Sequence, residues 1–173
     1  ALFKYVNLPP AAKVIDVGTG AGFPGLVLKI LRPDIRLTLL DSLQKRLTFL
    51  DAVCTELGLD AELIHARAEE GGRDSDYREK YDLAAARAVA RLPLLLEYCL
   101  PFVKPSGVFC ALKGPDGETE LTEAKRALGG GKADLFTYAL PGGDRRTAVT
   151  ITKSSQTPTK YPRNPSQIAK KPL

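Results

Sequence analysis

Hydrophobic positions along this chain fall into two alternating kinds of segment. Short apolar or β-branched runs recur at 13–17 (KVIDV), 36–41 (RLTLLD), 61–65 (AELIH), 81–87 (YDLAAAR), 107–112 (GVFCAL), 134–140 (DLFTYAL) and 146–152 (RTAVTIT), and each suits a strand. Between them lie segments with helical spacing at 24–31, 43–57, 92–103 and 117–128. In 43–57 the residues Leu43, Leu47, Leu50, Val53, Cys54 and Leu57 return every three or four positions and so line one helix face. Strand alternating with helix implies right-handed crossovers and a mostly parallel sheet covered on both sides. The last two runs break that rhythm, because only PGGD at 141–144 separates them. So short a link suits a hairpin, and the sheet is expected to end antiparallel.

Five alternating strand–helix units followed by a hairpin resemble the α/β, seven-stranded, doubly wound (Rossmann-like) sheet of S-adenosylmethionine-dependent methyltransferases, with its antiparallel final strand. A ligand in such a sheet lies beyond the carboxyl ends of the strands, where glycines let the backbone come close. The stretch VIDVGTGAGFPG, 14–25, supplies Gly18, Gly20, Gly22 and Gly25 at that place, with Thr19 among them. Its spacing is Gly-x-Gly-x-Gly, and Phe23 stands where a dinucleotide fingerprint requires its third glycine, which counts against NAD. Asp16 precedes the loop; a carboxylate there suits an ammonium and a sulfonium and repels a pyrophosphate. Asp41 closes the second run, where a carboxylate can accept from both hydroxyls of a ribose or, followed by Ser42, can cap the next helix. After the third run, HARAEE at 65–70 would present Ala68 and Glu69 to an adenine.

Composition narrows this picture. With 173 residues, 44% of them hydrophobic, the chain fits one globular domain, expected over 1–152. No apolar run reaches the roughly 18 residues of a membrane span and no signal pattern opens the chain, so a cytoplasmic monomer without membrane association is expected. Cys54, Cys99 and Cys110 are odd in number and set among apolar neighbours, which suits buried reduced thiols, and the single histidine, His65, suits a structural role. The net charge of +5 has a location: the basic and acidic residues of 1–152 balance, while 153–173 carry five Lys or Arg and no acid. This tail is expected to be a clamp for RNA, the competing reading being a strap in which TPTKYPR packs down through Tyr161 and its prolines.

Together DVGTGAGFPG (16–25), LLDSLQKRLTFL (39–50), RAEE (67–70), ARAVARL (86–92), ALKGP (111–115) and TPTKYPR (157–163) resemble the glucose-inhibited division protein B (RsmG) family, bacterial methyltransferases of guanine N7 in 16S ribosomal RNA. The resemblance implies S-adenosylmethionine as cofactor, 16S RNA or the small ribosomal subunit as partner, and a guanine of the 530 loop as target. It also implies cofactor contacts at Gly18, Phe23, Asp41, Ser42, Leu43, Ala68, Glu69 and Arg87, beside the Asp16, Thr19 and Gly20 of the loop itself. The family carries a helical lead-in before the first strand that this sequence lacks, so a fragment is expected. Where the family shows a Gly and a Pro after YPR, Ser166 and Ile168 stand here.

Guanine N7 carries a free lone pair at neutral pH, so methyl transfer to it needs alignment and no general base. Arg87 and Lys113 are the expected positioning residues, and Arg91, Lys113, Arg145, Arg146, Lys160 and Arg163 the expected RNA contacts. Two other readings stay open: a small-molecule or protein methyltransferase on the same fold, and an RNA- or ribosome-binding module without turnover.

Overall fold

The computed structural model describes residues 5–124 and 132–171. Seven strands form one sheet: β1 (Lys13–Val17), β2 (Arg36–Asp41), β3 (Ala61–His65), β4 (Tyr81–Arg87), β5 (Val103–Lys113), β6 (Lys132–Ala139) and β7 (Arg145–Thr152), in the order β3-β2-β1-β4-β5-β7-β6. The first five run parallel, and β7 pairs antiparallel with both β5 and β6. The sheet thus ends in the hairpin that PGGD foretells, closed by Gly143 at a φ of +87° and by the Leu140 N–H donating to Asp144 O (2.9 Å).

The helices are α1 (Gly25–Leu31), α2 (Gln44–Leu57), α3 (Ala68–Gly71), α4 (Leu92–Cys99), α5 (Gly117–Ala124) and α6 (Pro165–Lys170). Alternation along the strands splits the core into two layers. Val14, Leu37, Leu39, Leu83 and Ala85 meet Leu26 and Leu28 of α1 and Leu47, Leu50 and Cys54 of α2. On the opposite face Ile15, Val17, Ala84, Ala86, Phe109 and Val149 meet Leu92, Leu95 and Leu96 of α4 and Leu121 of α5. All three cysteines are free and buried, and burial pushes the Cys110 thiol up to about 12. No helix among the described residues is long and apolar enough to cross a membrane.

Three local expectations are corrected. The helix expected over 92–103 stops at Cys99 and continues as a 3-10 turn over Leu100–Phe102, because Pro101 has no N–H to donate and its ring crowds the preceding turn. β5 begins at Val103, four residues before the expected start, running through Pro105 and a left-handed Ser106 (φ 67°). α3 and α6 are too short for a periodic signal and were not expected as helices. Of the helix expected over 117–128, the last four residues lie outside the described ones.

Candidate functional site

β1 ends at Val17 and the chain turns at once through Gly18, Gly20 and Gly22, whose φ values of +70°, +60° and +90° are left-handed. Gly22 is crowded by the core, where a Cβ would lie 2.5 Å from Leu26 Cδ1, whereas Gly18 is confined for a functional reason, since a Cβ there would lie 2.7 Å from Val89 Cγ2 on the far side of a cleft. The N–H groups of Gly18 and Thr19 both donate to Leu40 O (2.8 and 3.1 Å), which pins the loop to the end of β2.

Two carboxylates hold the rest of the loop. Asp16 is fully buried, and its Oδ2 accepts from Thr19 Oγ1 (2.7 Å) and from the Gly25 N–H (2.9 Å), so it satisfies the first free amide of α1 from across the turn. Its Oδ1 is buried with no partner among the described residues. Burial pushes the Asp16 carboxyl up to about 6, against the opposing pull of its bonds to Thr19 and Gly25 and of the Arg87 charge. Asp41 accepts at Oδ2 from the Gly20 N–H (3.0 Å) and at Oδ1 from the Leu43 N–H (3.0 Å). Arg46, one turn into α2, covers both oxygens, its closer contact being 3.2 Å.

Beyond these strand ends lies a cleft of about 360 Å³. Of the expected cofactor residues, Gly18, Asp41, Ser42, Ala68 and Glu69 line it. Asp16 and Thr19 sit beneath the loop and shape it, while Gly20, Phe23, Leu43 and Arg87 lie outside the lining. Arg87 ends β4 exposed, its guanidinium carbon 5.3 Å from the centre of the half-exposed Phe23 ring. Together they form a cationic and aromatic lip on the loop side.

Arg46, Arg67 and Val89 belong to the wall and were not anticipated. Arg46 had a local signal, because a side chain five positions after Asp41 in a helix that starts there reaches back over it. Val89 had none: only the pairing of β1 with β4 brings it opposite Gly18. His65 is tied down, with Nε2 donating to Ser42 O (3.1 Å).

A second cleft of about 580 Å³ opens at the amino edge of the sheet, with Lys13, Arg36, Glu62, Tyr77 and Lys80 in its walls. It is the larger, but it lies where strands enter rather than leave. In open α/β sheets the leaving edge, where crossovers diverge and helix starts point inward, receives the ligand.

The residues expected to meet RNA separate into two groups. Arg145 and Arg146 open β7 at the surface, Arg146 beside Asp144 (3.1 Å). Arg91 is exposed and pairs with Glu123, and Lys160 is exposed with its ammonium 5.2 Å from the Tyr161 ring centre. Lys113 and Arg163 are turned inward, which revises their expected role. Lys113 Nζ is buried against Glu120 (2.8 Å) and donates to Ala90 O (2.7 Å), and Arg163 binds the fully buried Glu97 through its backbone N–H (2.7 Å) and Nε (2.8 Å). Neither charge faces solvent freely enough to take a phosphate without first breaking an internal pair.

The described tail lies against the body. Lys153 Nζ is buried and donates to Glu79 (2.7 Å), Leu100 O (3.0 Å) and Val103 O (2.6 Å), and burial lowers its basicity. Ile168 of α6 is completely buried.

Comparison with known proteins gives this geometry a family. The family model described as GidB, rRNA small subunit methyltransferase G, matches residues 2–146. A relative in Acetivibrio thermocellus named ribosomal RNA small subunit methyltransferase G is 54% identical over 165 residues, covering 92% of this chain and 68% of its own length. One of the same name in Moorella thermoacetica is 49% identical over 177 residues, covering 99% and 74%. Among solved structures, a SAM-dependent O-methyltransferase from Thermotoga maritima superposes with a TM-score of 0.68 at 14% identity, covering 91% of this chain and 64% of that one, a likeness of fold. The chain belongs to the rRNA small subunit methyltransferase G family.

Proposed function

We propose that this chain transfers a methyl group from S-adenosylmethionine to N7 of a guanine in 16S ribosomal RNA, acting on the small subunit or its RNA, with the 530 loop as the address that the family resemblance implies. One observation carries the reading: Gly18, Asp41, Ser42, Ala68 and Glu69 converge on one cleft at the carboxyl edge of the sheet, in a chain about half identical to relatives that bear that methyltransferase name.

The residues fit the cofactor. Gly18 keeps open a gap that any Cβ would close against Val89. Asp41 and Ser42 offer oxygen acceptors to a ribose on one wall, and Ala68 and Glu69 at the start of α3 offer a backbone edge and a carboxylate to an adenine on the other. Asp16 serves from below, fixing the loop through Thr19 and Gly25, with an unpartnered Oδ1 that favours a positive group nearby.

When bound, the cofactor supplies a methyl on a sulfonium, which leaves as a neutral thioether. The protein's part is to hold. N7 already bears its lone pair, so no side chain need take a proton, in keeping with His65 and the Asp16 carboxylate being tied into structure. Fixing acceptor and methyl in line can contribute about 7–11 kcal/mol in favourable systems. Arg87 and Phe23 at the lip are suited to meet the incoming base, since guanidinium and phenyl planes both stack on nucleobases. Arg145, Arg146, Arg91 and Lys160 are the surface charges suited to phosphate.

The test is methyl transfer from labelled S-adenosylmethionine to small subunits and to bare 16S RNA, with N7-methylguanine mapped by strand scission. The expected result is one labelled guanine, absent with Gly18→Val. Label on a protein or small molecule but not on RNA would overturn the substrate, and undiminished methylation by Gly18→Val would overturn the site.

A further inference from the structure

The element that lines the adenine side of the cleft cannot hold itself. α3 is four residues long, one helical turn, and a single turn is unstable without outside support. Its front is fixed by the Arg67 N–H donating to Glu70 Oε2 (3.2 Å). Its back is wedged: a Cβ on Gly71 would lie 3.0 Å from Leu40 Cδ1, and one on Gly72, its C-cap, 3.1 Å from Pro101 Cβ, with Pro162 Cγ in contact at 3.4 Å. Pro162 belongs to the C-terminal segment.

Two arginines just after α3 make that contact a bracket. Arg78 Nη1 donates both to Gly72 O (2.8 Å), the last carbonyl of the α3 turn, and to Tyr161 O (2.9 Å), while Nη2 donates to Thr157 O (2.8 Å). Arg73 Nε donates to Pro162 O (2.8 Å). On the other flank Arg163 grips Glu97 of α4, and α4 packs directly against α3. The C-terminal strap therefore reaches the cleft wall from behind, through α3 and through α4.

We propose that the strap is a positioning element of the cofactor site, and that Arg78 is its positioning residue, setting Ala68 and Glu69 against the adenine through the C-cap of α3. The inference rests on the assignment of the cleft to S-adenosylmethionine. It gives the basic tail a role in cofactor affinity. A planar fork suits this position because one guanidinium reaches four carbonyls on two segments, those of Gly72, Thr157, Pro158 and Tyr161, a geometry lysine cannot reproduce.

The experiment is calorimetric titration of the full chain with S-adenosylhomocysteine and, separately, with adenosine, for the wild type, Arg78→Ala, Arg78→Lys and the milder Arg73→Gln. All are run well below each variant's melting temperature, with steady-state methylation alongside. Arg78→Ala should weaken both ligands by about tenfold, as expected for loss of charged hydrogen bonds behind a contact wall. The equal loss for adenosine, which lacks the amino-acid half, places the effect at α3. The KM for the cofactor should rise while kcat at saturation stays within about twofold, the pattern of lost ground-state binding. Arg78→Lys should lie between, and Arg73→Gln, which removes one bond and leaves Arg78 in place, should weaken both ligands about threefold. Unchanged affinities in a folded Arg78→Ala or Arg73→Gln, with only a lower melting temperature, would overturn the proposal and leave a purely structural strap. A wild-type chain that bound neither ligand would overturn the cofactor assignment itself, and this inference with it.

Discussion

The glycine loop and the C-terminal strap solve the same problem with different sets of charges, carboxylates alone in the one and arginines together with carboxylates in the other. Both are irregular backbone crossing a packed body, where amides and carbonyls outside any ladder need partners. In the loop the N–H groups point inward, and the carboxylates of Asp16 and Asp41 accept from Gly25, Gly20 and Leu43. In the strap several carbonyls point inward to Arg73 and Arg78, the N–H groups of Thr157 and Arg163 donate to Glu79 and Glu97, and Lys153 answers buried carbonyls of the body. A charge count sees acids near a ligand and bases on a tail. The structure puts several of each to work inside, as partners for backbone, and the charges free to meet solvent are a smaller set.

The comparison would break first at Glu97. Its carboxylate is wholly buried and answers three donors of Arg163. Glu97→Ala leaves a partly buried guanidinium without its partner and should destabilise the chain by about 3–5 kcal/mol in urea unfolding. A loss under about 1 kcal/mol would mean the strap is barely held.

Asp16 should show the next largest effect, with a sign that identifies it. Burial raises its carboxyl from an ordinary 3.8 to about 6, so the folded state holds the proton more tightly than the unfolded chain does. The associated stability is fully present below pH 3.8 and is lost as pH rises through about 6, a change of about 3 kcal/mol. Asp16→Asn keeps an acceptor for Thr19 and Gly25 and cannot ionise. Its stability relative to wild type should rise across that window and level off above it, as followed by denaturant midpoints at successive pH values. A constant difference would show that Asp16 titrates normally.

Smallest are the surface charges, and they sharpen the contrast between tail and body. Arg146→Ala and Lys160→Ala should each flatten the dependence of log K for RNA on log salt by about 0.7–0.9 without lowering the melting temperature. Arg163→Ala should do the reverse, leaving the slope and lowering the melting temperature. If Arg163→Ala flattened the slope and spared stability, the tail would be a clamp after all.

How much of this was legible in the sequence follows from the range of each interaction. The strands, the hairpin and the doubly covered sheet rest on period and turn chemistry within ten or so residues, and they emerge with the largest shifts where Pro101 and Ser106 intervene and with other ends, such as those of β6 and β7, moved by one or two residues. Gly18, Asp41, Ser42, Ala68 and Glu69 could be picked out because the fold fixes where the carboxyl ends of β1, β2 and β3 must lie. Arg163 and Glu97 are 66 positions apart, and Arg78 and Tyr161 are 83 apart. No local pattern pairs such residues, so Arg163 looked like any other charge on a basic tail. Lys113 misled for a different reason: Glu120 is near it in sequence, but the two face each other only once α5 has packed against β7.

The central claim is that the cleft at the carboxyl edge, and not the larger one at the amino edge, receives the cofactor. A nitrogen-15 NMR titration of the chain with S-adenosylhomocysteine tests this most directly. Saturable shifts of the Gly18, Asp41, Ser42, Ala68 and Glu69 amides, with Arg36, Glu62, Tyr77 and Lys80 unmoved, are the predicted result. Shifts gathered around Arg36, Glu62 and Tyr77, or none at saturating ligand, would contradict it.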